Sequence, residues 1–267
     1  VNLYARLPEV KSDVAQLGPT ANVTLDPIYL RAIEAESRAL DDFCNRKFHT
    51  TTATRYYDGD SGSCLYFSDY SDLLSVTTLK FDDDGDGVYE TTLDTGDYWL
   101  WPDNSPNKRR IDLNPEGDHS AFPVGRRRIQ VVGKWGYSDL SDPAGTLGAA
   151  ITTTTATEIT MTTGHTVYPG DTMIVGSEEM YVSAVEANTL TVVRGINGTT
   201  AATALINAAV SIRRYPAAIE QAIRMRVVAN RWDNNQGVPM GEAPRYANDN
   251  TFARFMSLIK PYRLVIV

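Results

Sequence analysis

Asp82, Asp84 and Asp86, followed by Gly87, are the densest run of candidate ligands in this chain. Carboxylates at alternate positions of a glycine-ended loop can converge on a hard cation such as calcium. The twelfth position of such a loop should hold a bidentate glutamate. Here it is Leu93, and Glu90 falls at the ninth. The flanks alternate as strands rather than helices. Calcium on Asp82, Asp84 and Asp86 therefore stands beside a simpler reading, a solvated hairpin tip in which Asp and Gly supply the backbone conformations. A second candidate is Ser61, in Gly59-Asp60-Ser61-Gly62. A serine nucleophile needs a base that is itself oriented by a carboxylate. His49, His119 and His165 are the histidines present, and none stands in a context that marks it as that base. The Ser61 segment reads as a turn. His119, among Glu116, Asp118 and Ser120, lacks diagnostic metal-ligand spacing. There is no Walker loop, dinucleotide fingerprint or zinc pattern, so no catalytic residue, metal or cofactor is assigned.

The basic residues are mostly arginine and bunch at Lys108-Arg109-Arg110, Arg126-Arg127-Arg128 and Arg213-Arg214. Arginine suits desolvated polar interfaces, which makes Arg109, Arg110, Arg126, Arg127 and Arg128 candidates for subunit or partner contacts. The alternative is a solvated surface with local ion pairs. The 267 residues carry 25 basic and 33 acidic groups, a net charge of −8. Phosphate neutralisation drives tight wrapping of nucleic acid, and an acidic chain is poorly suited to it. Two cysteines, Cys44 and Cys64, rule out a disulfide scaffold. The apolar runs are a handful of residues, too short to span a membrane, and no secretory signal is legible at the start.

Helical signals lie near both ends. Leu7-Pro8 opens one helix and Gly18-Pro19 ends it. Asp26-Pro27 opens a second, with Asp26 as its cap and a stripe of Leu30, Ile33, Ser37, Leu40 and Cys44. Helix returns after Pro216 with Ile219, Ile223 and Val227, and again near Thr251 to Lys260, where Pro261 stops it. Between Thr50 and Tyr137 the pattern is short strands. Arg55-Tyr56-Tyr57 and Cys64-Leu65-Tyr66-Phe67 read as a hairpin around the Ser61 turn. Thr77, Leu79 and Phe81 pair with Tyr89, Thr91 and Leu93 across the aspartate loop, and Arg127, Ile129 and Val131 form another strand. From Thr146 threonine becomes abundant. A two-residue turn at Gly176-Ser177 and a third strand, Leu190 to Arg194, entered through Ala187-Asn188 predict a small all-β module.

The expected organisation is α+β: a helical bundle with β-hairpin embellishments, interrupted by a small inserted all-β domain. Residues 1–145 and 213–267 form the discontinuous helical domain, and 146–212 the insert. Insertion of this kind predicts that helices from the two ends of the chain pack together.

Several segments, in order, resemble the tailed-phage head–tail connector (adaptor) family. They are Ile33 through Phe48, Thr54-Arg55-Tyr56-Tyr57-Asp58-Gly59, Leu73-Leu74-Ser75-Val76 and Asp84-Gly85-Asp86-Gly87 with Tyr89-Glu90. Tyr98-Trp99-Leu100, Gly133-Lys134-Trp135-Gly136-Tyr137 and the ending Ile259-Lys260-Pro261-Tyr262-Arg263 continue the series. The insert is similar to β-modules of other phage structural proteins, and smaller connectors lack it.

The resemblance implies a helical bundle with strand embellishments and a non-enzymatic virion protein, assembled in the bacterial cytoplasm. It implies a twelve-fold ring under the portal vertex that extends the DNA channel and carries the next neck or tail protein. DNA would pass through without sequence-specific binding, and no membrane is involved. The tail Tyr262-Arg263-Leu264-Val265-Ile266-Val267 is the candidate portal contact, because it is an apolar, strand-prone end after a helix stop. Two other readings are an adhesion or carbohydrate-binding protein using the β-module, and a serine hydrolase built around Ser61.

Overall fold

The computed structural model describes residues 1–15, 23–67, 72–233 and 249–264. The expected helix stop at Gly18-Pro19, most of the polar loop before the last helix, and Val265 to Val267 lie outside these residues. Contacts divide the chain into two units: Val1–Asn45 with Ser138–Val267, and Arg46–Tyr137.

The first unit opens with helices α1 (Leu7–Ala15) and α2 (Asp26–Cys44). The stripe of α2 is buried as its spacing predicts, through Tyr29, Ile33, Ser37, Leu40 and Cys44. Asp26 does not cap it. No side chain bonds the first turn, and Asp26 instead accepts from the fully buried Lys11 Nζ at 2.7 Å. An ammonium taken out of water needs that carboxylate more than the helix needs a cap.

The second unit holds β1 (Thr51–Gly59), β2 (Cys64–Tyr66), β3 (Leu73–Phe81), β4 (Thr91–Leu93), β5 (Tyr98–Trp101), β6 (Arg110–Leu113) and β7 (Gly125–Trp135). They form two antiparallel sheets, ordered β1-β7-β3-β4 and β2-β6-β5. Tyr57, Leu79, Ile129, Val131 and Trp135 from one sheet and Leu65, Tyr98, Ile111 and Leu113 from the other share a single core. The aspartate hairpin is present, with Leu79 opposite Leu93 and Phe81 opposite Thr91. The expected hairpin around Ser61 is not. β1 pairs with β7 and β2 with β6, so that turn crosses from one sheet to the other. The two aromatic strands fill one core from opposite sides, which pairing with each other would prevent. The ends of this unit are fastened together: the Tyr137 N–H donates to Lys47 O at 3.0 Å, and the Phe48 and Tyr137 rings meet edge to face. With its own core and adjoining ends, a fragment of residues 46–137 is expected to fold alone. A single cooperative thermal transition with dispersed amide resonances would establish this, and a molten spectrum would refute it.

The chain then enters β8 (Ser141–Thr146), β9 (Glu158–Thr160), β10 (Thr172–Val175), β11 (Glu178–Glu186), β12 (Thr189–Val193) and β13 (Ala209–Arg213). Their order is β8-β13-β10-β11-β12-β9, all antiparallel, with two-residue turns at Gly176-Ser177 and Ala187-Asn188. The two edges then meet. Leu147 bridges Met161, the Gly148 N–H donates to Thr160 O at 2.8 Å, and the Thr162 N–H donates to Thr146 O at 3.0 Å. A Cβ at Gly148 would lie 2.6 Å from Met161 O, so the seam needs a glycine there. The sheet is a closed six-stranded barrel filled by Leu147, Met173, Met180, Val182, Leu190 and Ile212, among others. Closure removes the exposed edges of a threonine-rich sheet.

Helices α3 (Ala217–Asp233) and α4 (Asp249–Ile259) follow. α3 packs on α1 and α2, and α4 on α3. Arg224 on α3 holds Asp13 of α1 at 2.7 Å, and Arg226 holds Glu36 of α2 at 3.0 Å. Helices from both ends of the chain therefore meet, but the helical bundle with embellishments is corrected. Among the described residues, strands make up 35% in three sheets, and four helices 24%. The alternating segments build a sandwich and a barrel with cores of their own, and helix is confined to the flanks. Among the described residues no helix is long and apolar enough to cross a membrane.

Candidate functional site

Asp82 directly follows β3 and its side chain is almost fully buried. Its carboxylate accepts the Gly85 N–H at 2.5 Å, the Gly87 N–H at 3.0 Å and Arg128 Nη1 at 3.0 Å. Burial alone would raise its pKa. The two backbone donors and the guanidinium outweigh burial and hold it below the usual carboxylate range. Asp84 and Asp86 are exposed and cap their own turns, accepting from the Asp86 and Val88 N–H groups. Oxygens of Asp82, Asp84, Asp86 and Glu90 lie within 4.8 Å of one another, so the loop does gather its carboxylates. Its deepest carboxylate is already matched by Arg128, which also bonds Asp82 O and Val124 O. Gly85, at φ +88°, leaves the space that Arg128 fills: a Cβ there would sit 2.7 Å from Nη1. The loop folds on its own cation, and sequence spacing gave no sign of that partner 46 residues away.

Ser61 sits at an exposed turn with φ +67°, beside Asp60, whose Oδ1 accepts the Gly62 N–H. No described histidine bonds its hydroxyl. The His119 ring packs edge-on against Phe81 instead.

The arginine clusters divide. Arg213 pairs with Glu179 and Asp139, and Arg214 with Glu220, Glu9 and Asp142. The Glu220 hydrogen bond is the main cause that raises the Arg214 pKa above its ordinary value. Arg213 thus ties β13 to β11, and Arg214, just past β13, reaches α1 through Glu9 and α3 through Glu220. Arg109 lies 3.9 Å from the buried Asp72, which Arg46 approaches at 3.3 Å. Burial pushes the Asp72 pKa up against the pull of both cations. Arg110 pairs with Asp112, and Arg128 with Asp82. Arg127, at φ +55°, stacks on Tyr56 with its guanidinium carbon 4.4 Å from the ring centre. Arg126 is exposed. Among the described residues neither Arg126 nor Arg127 makes an ion pair, so of the five candidates these two keep an unmatched charge.

In the tail, α4 ends at Ile259, next to the expected stop at Pro261, and Lys260–Tyr262 forms a 3-10 turn. The guanidinium of Arg263 lies over Phe43. Leu264 is buried against its own chain: its N–H donates to Cys44 O at 2.9 Å, and its carbonyl accepts from Asn45 Nδ2 at 3.2 Å. Residues that sequence reasoning passed over lie on the outer face of β2-β6-β5, where Tyr66, Trp99 and Trp101 are exposed. The signal was available, because Trp99 and Trp101 are two apart on one strand and so share a face.

No family model and no curated protein matches this chain. Two solved structures are similar to it. One is the neck of an empty gene transfer agent particle computed with C6 symmetry, at 13% identity and a TM-score of 0.41, covering 100% of this chain and 96% of that one. The other is the virion of a native gene transfer agent particle, at 14% identity and a TM-score of 0.42, covering 99% and 91%. At these values the likeness carries no functional argument.

Proposed function

We propose that this chain is a structural virion protein that joins a DNA-filled head to the neck or tail, as a twelve-fold ring on the portal that extends the DNA channel. The observation that carries the reading is the ordered series of connector-like segments, from Ile33-Glu34-Ala35-Glu36 through Gly133-Lys134-Trp135-Gly136-Tyr137 to Lys260-Pro261-Tyr262-Arg263. The structure supports it locally. The first segment forms the buried stripe of α2, and the last returns to the C-terminal end of that same helix through Leu264. Val265, Ile266 and Val267, which follow Leu264 in the sequence, are the proposed portal contact. Among the five candidate arginines, Arg126 and Arg127 have charge to spare for a subunit or portal contact.

A net charge of −8 per copy, repeated around a ring, makes an acidic collar. Such a lumen repels DNA phosphates and lets the genome slide without sticking. The downstream side would receive the next neck or tail protein, and assembly would take place in the host cytoplasm. The aspartate loop offers its carboxylates to calcium, with Arg128 as the competing cation.

The test is assembly on the cognate portal, followed by imaging. Rings of twelve copies seated on the portal, with Arg126 and Arg127 at contacts, are expected. No binding to the portal would overturn the reading, and arginines lining the bore would overturn the acidic-lumen assignment.

A further inference from the structure

The outer face of the β2-β6-β5 sheet carries the large, exposed side chains of Tyr66, Trp99 and Trp101. β6 is the middle strand. The register sets Tyr66, Arg110 and Trp101 in one row across the three strands, and Cys64, Asp112 and Trp99 in the next. The residues between, Leu65, Ile111 and Leu100, turn to the sandwich core. Tyr66 is 62% exposed, Trp99 53% and Trp101 44%. Arg110 is clasped by the rings of its row, 5.3 Å from the centre of Tyr66 and 4.7 Å from that of Trp101. Its Nη2 donates to Asp112 at 2.7 Å, so the face as a whole carries no net charge. A phosphate polymer would find the cation already matched and a carboxylate beside it. Tryptophan, tyrosine and arginine are the residues that dominate the energy of protein interfaces.

The order of the charges along β6 selects the partner. Arg110 and Asp112 stand one row apart on the same face, with Ile111 between them and turned inward. A two-fold axis lying in the plane of the contact and crossing β6 at Ile111 reverses the strand and turns a second sheet to face the first. Arg110 then stands opposite the partner's Asp112, and Asp112 opposite the partner's Arg110. Trp99 meets the partner's Trp101, Trp101 meets the partner's Trp99, and Tyr66 meets the partner's Cys64. Sheets packed face to face lie about 10 Å apart, a gap that side chains of this size fill by interdigitating. A contact with the strands parallel would instead set Arg110 against Arg110 and Asp112 against Asp112. The face is complementary to itself, as a two-fold contact requires.

We propose that this face docks a second copy of the chain across a two-fold axis, with Trp99, Trp101 and Arg110 at its centre. Contacts within a cyclic ring are head to tail, so this dimer is a form of the chain distinct from the ring proposed above. It goes beyond that reading and is tested without the portal.

The experiment is sedimentation velocity on the full chain and on Arg110→Asp and Asp112→Arg, alone and as an equimolar mixture. Near-ultraviolet circular dichroism serves as the control for folding. The wild-type chain is expected to dimerise. Each substituted chain sets like charges against each other, and its dissociation constant should rise about thirtyfold or more, a hot-spot loss. The mixture pairs an all-acidic face with an all-basic one and should recover a heterodimer. Trp99→Ser, which leaves the charges alone, should also weaken the wild-type dimer. A wild-type chain that stays monomeric, a dimer indifferent to these substitutions, or a mixture that fails to re-associate would each overturn the proposal. None of those results bears on whether the chain forms a ring on a portal.

Discussion

Deleting Val265, Ile266 and Val267 is expected to abolish attachment to the portal while leaving the melting temperature unchanged. The cut falls after Leu264, which is bonded to its own chain through Cys44 O and Asn45 Nδ2, so the fold keeps that anchor. Burying the three removed side chains on a partner is worth about 4.5–9 kcal/mol. Ordering three residues costs about 3–6 kcal/mol of backbone entropy. One tail alone therefore binds weakly, and a ring of copies multiplies it by avidity. The loss should accordingly be close to complete, because every copy loses its contact at once. Co-sedimentation with the portal checks the first half and calorimetry the second. Attachment that survives the deletion would remove the tail from the contact. Leu264→Asp should behave differently, lowering the melting temperature by placing a carboxylate in a buried site.

The second large effect is expected at Arg194→Ala in the barrel. Arg194 Nε and Nη2 reach the two oxygens of Glu178 at 2.6 and 2.7 Å, and the pair is almost wholly buried. Arg194 also donates to Ala156 O and Ala202 O, and Glu178 accepts the Gly195 and Ala202 N–H groups. One ion pair thus ties the β8–β9 and β12–β13 connections to the start of β11. Removing one partner strands a buried charge and costs about 3–5 kcal/mol. Denaturant unfolding of the full chain would show the loss, and a change below about 1 kcal/mol would refute it. Glu178 adds a pH signature. Burial pushes its pKa up, but Arg194 and the Ala202 and Gly195 N–H groups more than reverse that and leave it below the usual carboxylate range. A depressed carboxylate contributes stability that is complete above its unfolded pKa and disappears as pH falls through the folded one. The wild-type advantage over Arg194→Ala should therefore be full at neutral pH and shrink in acid.

Local patterns were legible from the residues themselves. The stripe of α2, the hairpin joining Leu79 and Phe81 to Leu93 and Thr91, the strand through Ile129 and Val131, and the two-residue turn at Gly176-Ser177 all follow from periodicity and turn chemistry within a few positions. Which strand lies beside which did not follow. β1 takes its partner from β7, where Tyr57 stands opposite Ile129, and the barrel closes only where Leu147 meets Met161. Periodicity reports which face of a segment is apolar; it holds no record of the distant segment that covers that face. For the same reason the chain looked more helical than it is, since short alternating strands carry weaker signals than amphipathic helices.

Charge behaved in the same way. The order of residues alone shows that acidic and arginine-rich clusters exist and how they are spaced along the chain. Folding is what gives Arg128 to Asp82, pairs Arg213 and Arg214 inside the fold, and leaves Arg126 and Arg127 without an ion pair among the described residues. An ion pair forms over a few ångströms of space, and chain positions tens of residues apart come that close only after the backbone has folded.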